Sequence, residues 1–156
     1  MTVSRKPDSY MWPALQRLRK HAKQKGYILA ALSNTSIFPE GHEFNLPNTP
    51  DGIFHSELRA LFDLFVSSAH VGMRKPDEEI YYYTIDALDK LARERGDKNG
   101  VAPGDIVFFD DIGTNLRTGR KVGMRTVKVD LGRADKAVEE LERLTGLKLK
   151  VESSKL

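Results

Sequence analysis

Residues 106–115 read IVFFDDIGTN. Four apolar residues, Ile106 to Phe109, run straight into two adjacent aspartates, Asp110 and Asp111. A short all-apolar run bounded by turn residues suits a strand buried on both faces of a parallel sheet. The aspartates then stand at its carboxyl end, where open α/β sheets place their ligands. Two neighbouring carboxylates repel each other unless a cation, a lysine or a proton offsets the charge. A hard, oxygen-ligated ion such as Mg2+ is the natural candidate.

Working outward, residues 28–36 read ILAALSNTS, another apolar run that ends in small hydroxyl and amide groups. Ser33 and Asn34 are of the type that binds phosphate oxygens. Residues 71–76, VGMRKP, set Lys75 just ahead of a helical pattern. Residues 7–26 predict a first helix, capped by Asp8 or Ser9, striped by Leu15, Leu18 and Ala22, and stopped by Gly26. A strand over 28–32 follows. Residues 37–55 carry three prolines and two glycines and predict a long surface loop near the mouth of any site. A helix over 56–64, a strand over 64–67 and a helix over 77–95 come next. In the last of these Asp77 is the cap, and Ile80, Thr84, Ala87, Leu88 and Leu91 face inward. Residues 96–104 form a loop. Beyond Phe109 the pattern predicts a helix over 114–122 closed by Gly123, a strand over 126–129, and an amphipathic helix over 134–145. That helix turns Ala137, Val138, Leu141 and Leu144 inward and ends at Gly146. Strands alternating with helices predict an α/β chain, a three-layer sandwich around a mostly parallel sheet. It forms one domain over 1–149 with a flexible tail over 150–156.

The 156 residues are 40% hydrophobic and 30% charged, an ordinary globular balance. Net charge is +3, with Lys and Arg spread along the chain, which argues against a nucleic-acid surface. With no cysteine, thiolate catalysis, disulfides and zinc–thiolate sites are excluded. No apolar run approaches a membrane span, and residues 1–10 lack the apolar core of a signal peptide. Cytoplasm is the default location, with an organelle left open. His21, His42, His55 and His70 show no metal-ligand spacing, and His42 and Glu43 in the long loop are candidate acid/base groups. No phosphate-binding G-x-x-x-x-G-K-[ST] or dinucleotide G-x-G-x-x-G segment occurs.

Hydroxyl, lysine and paired aspartates, in that order on successive α/β units, resemble the second, third and fourth motifs of the haloacid dehalogenase-like (HAD) hydrolases. The likeness is nearest to the subgroup containing the phosphatase domain of soluble epoxide hydrolase. It is carried by GMRKPDEEIY (residues 72–81) and FFDDIGTNL (residues 108–116), and it runs from about Trp12 to Leu149. The resemblance implies an Mg2+-dependent hydrolase of phosphoric monoesters. Asp111 would bind the metal, and Asp110 would hydrogen-bond Lys75 and orient the site. Ser33 and Asn34 would hold the phosphoryl group, Lys75 would neutralise charge, and Asn115 would reach water near the metal. Plainer readings stand beside these: the aspartates cap the next helix, Ser33 and Asn34 close a strand end, and Lys75 is solvated. A phosphoacceptor receiver domain also pairs aspartates with a lysine, but its acidic pair comes from its first strand.

One part is missing. Family members begin with a strand ending in D-x-D-x-T, whose first Asp is the nucleophile and whose second is the acid/base. Before Ile28 the sole aspartate is Asp8, with no apolar strand ahead of it. The chain therefore resembles a HAD-like core lacking its first strand and its helical cap. By that resemblance the metal loses two of its three protein ligands, so weak or absent Mg2+ binding is expected of the isolated chain. The absent strand would lie mid-sheet, between those matched by 28–32 and 106–109. Three arrangements are open: the flanking strands close up and pair, a second chain inserts a strand, or the sequence is part of a longer protein. Two functions are open with them. One is a phosphomonoester hydrolase acting on a small phosphorylated substrate, inactive as an isolated chain. The other is a catalytically dead domain serving as a binding or structural subunit, its open sheet covered by a protein partner or a second copy. Dehalogenation would need the absent aspartate as well.

Overall fold

A computed structural model of the chain describes residues 9–34 and 56–150. Helix α1 spans Met11–Lys25 and stops at Gly26, whose φ of 72° lets its N–H reach back to Ala22 and Lys23. Strand β1 (Ala30–Ser33) pairs in parallel with β2 (Leu64–Ser67), with Ala30 opposite Leu64 and Ser33 opposite Ser67. Residues 56–60 are helical ahead of β2, and Ser68–Val71 form a single helical turn after it. Helix α2 (Glu78–Glu94) leads to β3 (Val107–Asp110), and α3 (Gly113–Lys121) crosses over to β4 (Arg125–Lys128). β4 runs parallel to β3, with Val107 opposite Arg125 and Asp110 opposite Lys128. Helix α4 (Ala134–Thr145) ends at Gly146, also left-handed.

Two apolar layers enclose the strands. On one side Ile80, Tyr81 and Ile85 of α2 pack with Val66, Phe108, Leu116 and Met124, joining β2, β3 and α3 in one core. On the other, Ala14 and Leu18 of α1 pack against Val138 of α4 and Leu149. Ile80, Tyr81, Val138 and Leu149 are entirely out of water, and burying each large apolar side chain contributes about 2 kcal/mol. This is the α/β three-layer arrangement the sequence predicts. Among the described residues no helix is long and apolar enough to cross a membrane.

The middle layer is split. Among the described residues β1–β2 and β3–β4 form two separate two-stranded sheets, and no ladder joins β1 to β3. The flanking strands therefore do not close up. The split also corrects the expectation that the Ile106–Phe109 run is buried on both faces. In β3 only Phe108 and Asp110 are buried, while Val107 and Phe109 are half-buried, and all four residues of β1 are half-buried. Among the described residues each strand has a ladder partner on one edge only.

Other boundaries shift for local reasons. Helix α1 begins at Met11 rather than Pro7, and the residue before it, Tyr10, makes no side-chain cap. Pro13 falls in the first turn, where a missing N–H costs nothing. Asp8 lies outside the described residues. Ala14 is buried where Leu15 was expected, Leu15 being half-buried. Asp77 precedes α2 without a side-chain cap bond. The buried face of α2 turns toward Tyr81, Ile85 and Ala92, leaving Ala87 and Leu91 half-buried. The loop predicted over 37–55, with His42, Glu43 and His55, and the tail beyond residue 150 lie outside the described residues.

Candidate active site

The carboxyl ends of β1 and β3 meet at Lys75. Asn34, the residue after β1, donates its side-chain Nδ2–H to the Lys75 carbonyl at 2.9 Å, and its Oδ1 accepts the Lys75 backbone N–H at 2.9 Å. The pair of bonds fixes the Lys75 backbone against the end of β1. The Lys75 side chain then crosses to the end of β3, where Nζ donates to Asp110 Oδ2 at 2.6 Å. The other Asp110 oxygen accepts the Ile112 N–H at 2.8 Å. Asn115 Nδ2 lies 3.4 Å from each Asp110 oxygen. Asn115 is placed in turn by Tyr81, whose hydroxyl donates to the Asn115 carbonyl at 2.6 Å.

Asp110, Lys75 and Asn115 are all buried. Burial pushes the Asp110 carboxyl up, but the Lys75 hydrogen bond, the Ile112 N–H and the Lys75 charge outweigh it and hold it below the usual carboxylate range. The Phe108 ring lies beneath the lysine, with Nζ 5.5 Å from its centroid, so the ammonium also rests on an aromatic face. The Tyr81 hydroxyl is pushed upward, first by burial and then by the Asp110 charge. It stays a neutral donor at any physiological pH.

Of the residues singled out in the sequence, Asn34, Lys75, Asp110 and Asn115 form one hydrogen-bonded chain. Ser33 closes β1 beside them, half-buried, and among the described residues it makes no hydrogen bond to any of the four. Asp111 follows Asp110 and is half-buried. Both Asp110 oxygens are engaged by donors, so Asp111 is the carboxylate here suited to a hard cation. Among the described residues no group of three His, Asp or Glu side chains could hold a metal ion. A cation here would find no closed set of ligands among the described residues.

Three contributors escaped the sequence reading. Ser67, buried at the end of β2 and in register with Ser33, adds a hydroxyl to the same rim. Its position in the strand pairing could have found it. Tyr81 sits one position off the expected apolar stripe of α2. Phe108 carried no signal beyond being apolar.

No family model matches the chain. Over 93 residues it is 40% identical to bifunctional epoxide hydrolase 2 of Sus scrofa, which covers 60% of this chain and 14% of that protein. Over 138 residues it is 30% identical to acyl-CoA dehydrogenase family member 10 of Mus musculus, covering 88% of this chain and 11% of that one. Phosphatase MT3486 of Mycobacterium tuberculosis is 26% identical over 119 residues, 76% of this chain and 46% of its own length. The chain thus spans less than half of each of these relatives. Among solved structures, an uncharacterized protein from Corynebacterium glutamicum superposes with a TM-score of 0.61 at 26% identity, covering 88% of this chain and 84% of that one. A predicted HAD-like family hydrolase from Porphyromonas gingivalis superposes with a TM-score of 0.58 at 24% identity, covering 83% and 56%. The second likeness is one of fold.

Proposed function

We propose that the chain is the HAD-like core of an Mg2+-dependent phosphoric-monoester hydrolase working through an aspartyl-phosphate. The observation that carries this is the Asn34–Lys75–Asp110–Asn115 chain at the carboxyl ends of β1 and β3. It is a preorganised cation held between two strand ends, where a phosphate dianion would meet it. In this reading the Ser33 hydroxyl and the backbone N–H groups after β1 bind phosphate oxygens. The Asn34 side chain serves by holding Lys75, since both ends of its amide are already used. Lys75 balances the charge of phosphate and nucleophile, and Asp110 keeps it aimed. Asp111 would contribute one carboxylate to Mg2+, whose charge would stabilise the transferring phosphoryl group.

The nucleophile is not among these residues. It would have to be a carboxylate on a further strand, because this chemistry cannot proceed without one. The isolated chain is therefore expected to be inactive. The test assays the protein from its natural source, and its Asp111→Asn variant, on several phosphomonoesters with and without Mg2+. Mg2+-dependent turnover that the variant loses supports the reading. Absence of turnover on all of them rejects it and leaves a catalytically dead domain.

A further inference from the structure

The two outer strands end the sheets in opposite ways. β4 carries exposed Arg125 and Lys128, and the Arg120 guanidinium reaches over to Thr126 Oγ1 at 3.2 Å. A second strand approaching that edge would meet a row of cations, which guards against edge-to-edge pairing. β2 reads LFVS, with no charge and no proline. Its one ladder partner among the described residues is β1, so its outer edge is unguarded. Beside β2 an open groove of about 480 Å3 runs along α2. One flank of α2 faces α3 and β3, through the Glu78–Lys121 ion pair and the Asp89 carboxylate that accepts the Val101 N–H. The groove follows the opposite flank, on the side of β2 away from β3. Leu64, Ala87 and Leu91 form its half-buried apolar floor, and Asp86, Lys90 and Glu94 its exposed rim. The three rim charges stand about one helical turn apart in the order minus, plus, minus. Among the described residues none of them makes an ion pair.

We propose that the outer edge of β2 and the groove flank of α2 form the interface of a homodimer, in which β2 pairs antiparallel with β2 of a second copy across a two-fold axis. Two identical edges related by a two-fold meet antiparallel, and the joined ladder supplies both with partners. Leu64 and Val66 pack with the α2 core, so pairing carries that apolar layer across the axis. The rim charges are self-complementary. The two-fold sets the two α2 helices antiparallel and reads the series minus, plus, minus backwards onto itself. An offset of one turn places each Lys90 beside Asp86 of the partner subunit. A foreign basic peptide fits less well, because Lys90 stands in the middle of the rim. The β1 and β3 edges that face the split take no part, and the dimer stands or falls apart from the hydrolase reading.

Sedimentation of the full chain over a range of concentrations, with amide exchange read alongside, tests the dimer. We expect a reversible monomer–dimer equilibrium. Exchange in residues 64–67 should slow as concentration rises, while exchange in residues 125–128 stays unchanged. Lys90→Glu alters an exposed side chain, turns both cross-axis pairs repulsive and should weaken association about tenfold. Adding Asp86→Lys to it restores opposite charges across the axis and should recover most of the loss. A chain that stays monomeric at every concentration would overturn the proposal. So would a dimer that slows exchange in residues 30–33 or 107–110 instead, one that Lys90→Glu leaves unchanged, or a loss that Asp86→Lys does not repair.

Discussion

Lys75 Nζ and Asp110 Oδ2 lie 2.6 Å apart with 10% and 5% of their side chains exposed, a cation and an anion held almost out of water. A pair of this kind contributes little net stability, because desolvating both charges offsets most of their attraction. Removing one partner strands the other and costs about 3–5 kcal/mol.

Lys75→Met should therefore lower unfolding stability by about 3 kcal/mol, the low end of that range, because the Ile112 N–H still supports Asp110. The double variant Lys75→Met with Asp110→Leu should recover more than half of the loss. Urea unfolding of the four proteins in the cycle measures this. A double variant as unstable as the sum of the singles would show that the two side chains are not coupled.

Asn34 makes its point through two bonds at once. Replacing it with alanine removes both contacts to the Lys75 backbone, yet Asn34 is exposed and water can take their place. A modest stability loss of about 1 kcal/mol is expected, together with much faster amide exchange at Lys75. Asn34→Asp should do as badly as alanine. It keeps an acceptor for the Lys75 N–H but turns a second oxygen toward the Lys75 carbonyl. Unchanged exchange at Lys75 in both variants would mean that the lysine is fixed by something else.

Asp63, at the amino end of β2, ties four elements together. Its carboxylate accepts the Leu29 N–H at 2.8 Å and meets Arg19 and Arg95 at 3.0 Å each. Burial raises its pKa, but the Leu29 N–H and the two arginines prevail and the net shift is downward. A depressed folded-state value means that the unfolded chain takes up the proton first. The stabilisation is then fully present above the ordinary carboxylate value of about 4 and is lost as pH falls through the folded value. Thermal unfolding of the natural protein should be flat from pH 7 to about 5 and fall steeply below 4. Asp63→Asn should start lower and show a shallower acid limb. An unchanged limb would assign the acid sensitivity to other carboxylates.

How much of this was legible in sequence depends on what decides each element. β2 over Leu64–Ser67 and α4 over Ala134–Thr145 stand where the apolar pattern puts them, because turn residues or glycine bound both. β1 and β3 sit a residue or two further along than the apolar runs suggest. Their ladders extend to Ser33 and Asp110, whose backbones pair with Ser67 and Lys128 whatever their side chains. Lys75, Asp110, Asn34 and Asn115 stood out as residue types. The contacts that order them, Asn34 to the Lys75 backbone and Tyr81 to the Asn115 carbonyl, span 41 and 34 residues and leave no local trace. The split sheet was foreseeable as a missing strand, but that the halves stay apart depends on helix packing across the gap.

Gly119 shows how closely α3 presses on the site. A Cβ there would lie 3.0 Å from Phe108 Cδ2 and 3.3 Å from Thr126 Cγ2, and Phe108 is the ring beneath Lys75. Alanine in place of a helical glycine ordinarily gains up to about 1 kcal/mol. Here the added methyl must push α3 off β3 or tilt the ring, and overpacking of that kind costs about 1–3 kcal/mol. The net expectation for Gly119→Ala is a loss of about 1–2 kcal/mol, or roughly 3 °C in Tm for each kcal/mol in a chain of this size. Phe108→Leu in the same chain makes room for the methyl, so the double variant should lose less than the two single effects added together. A stabilised Gly119→Ala protein would show that Phe108 yields freely and that the floor under Lys75 is softer than its packing indicates.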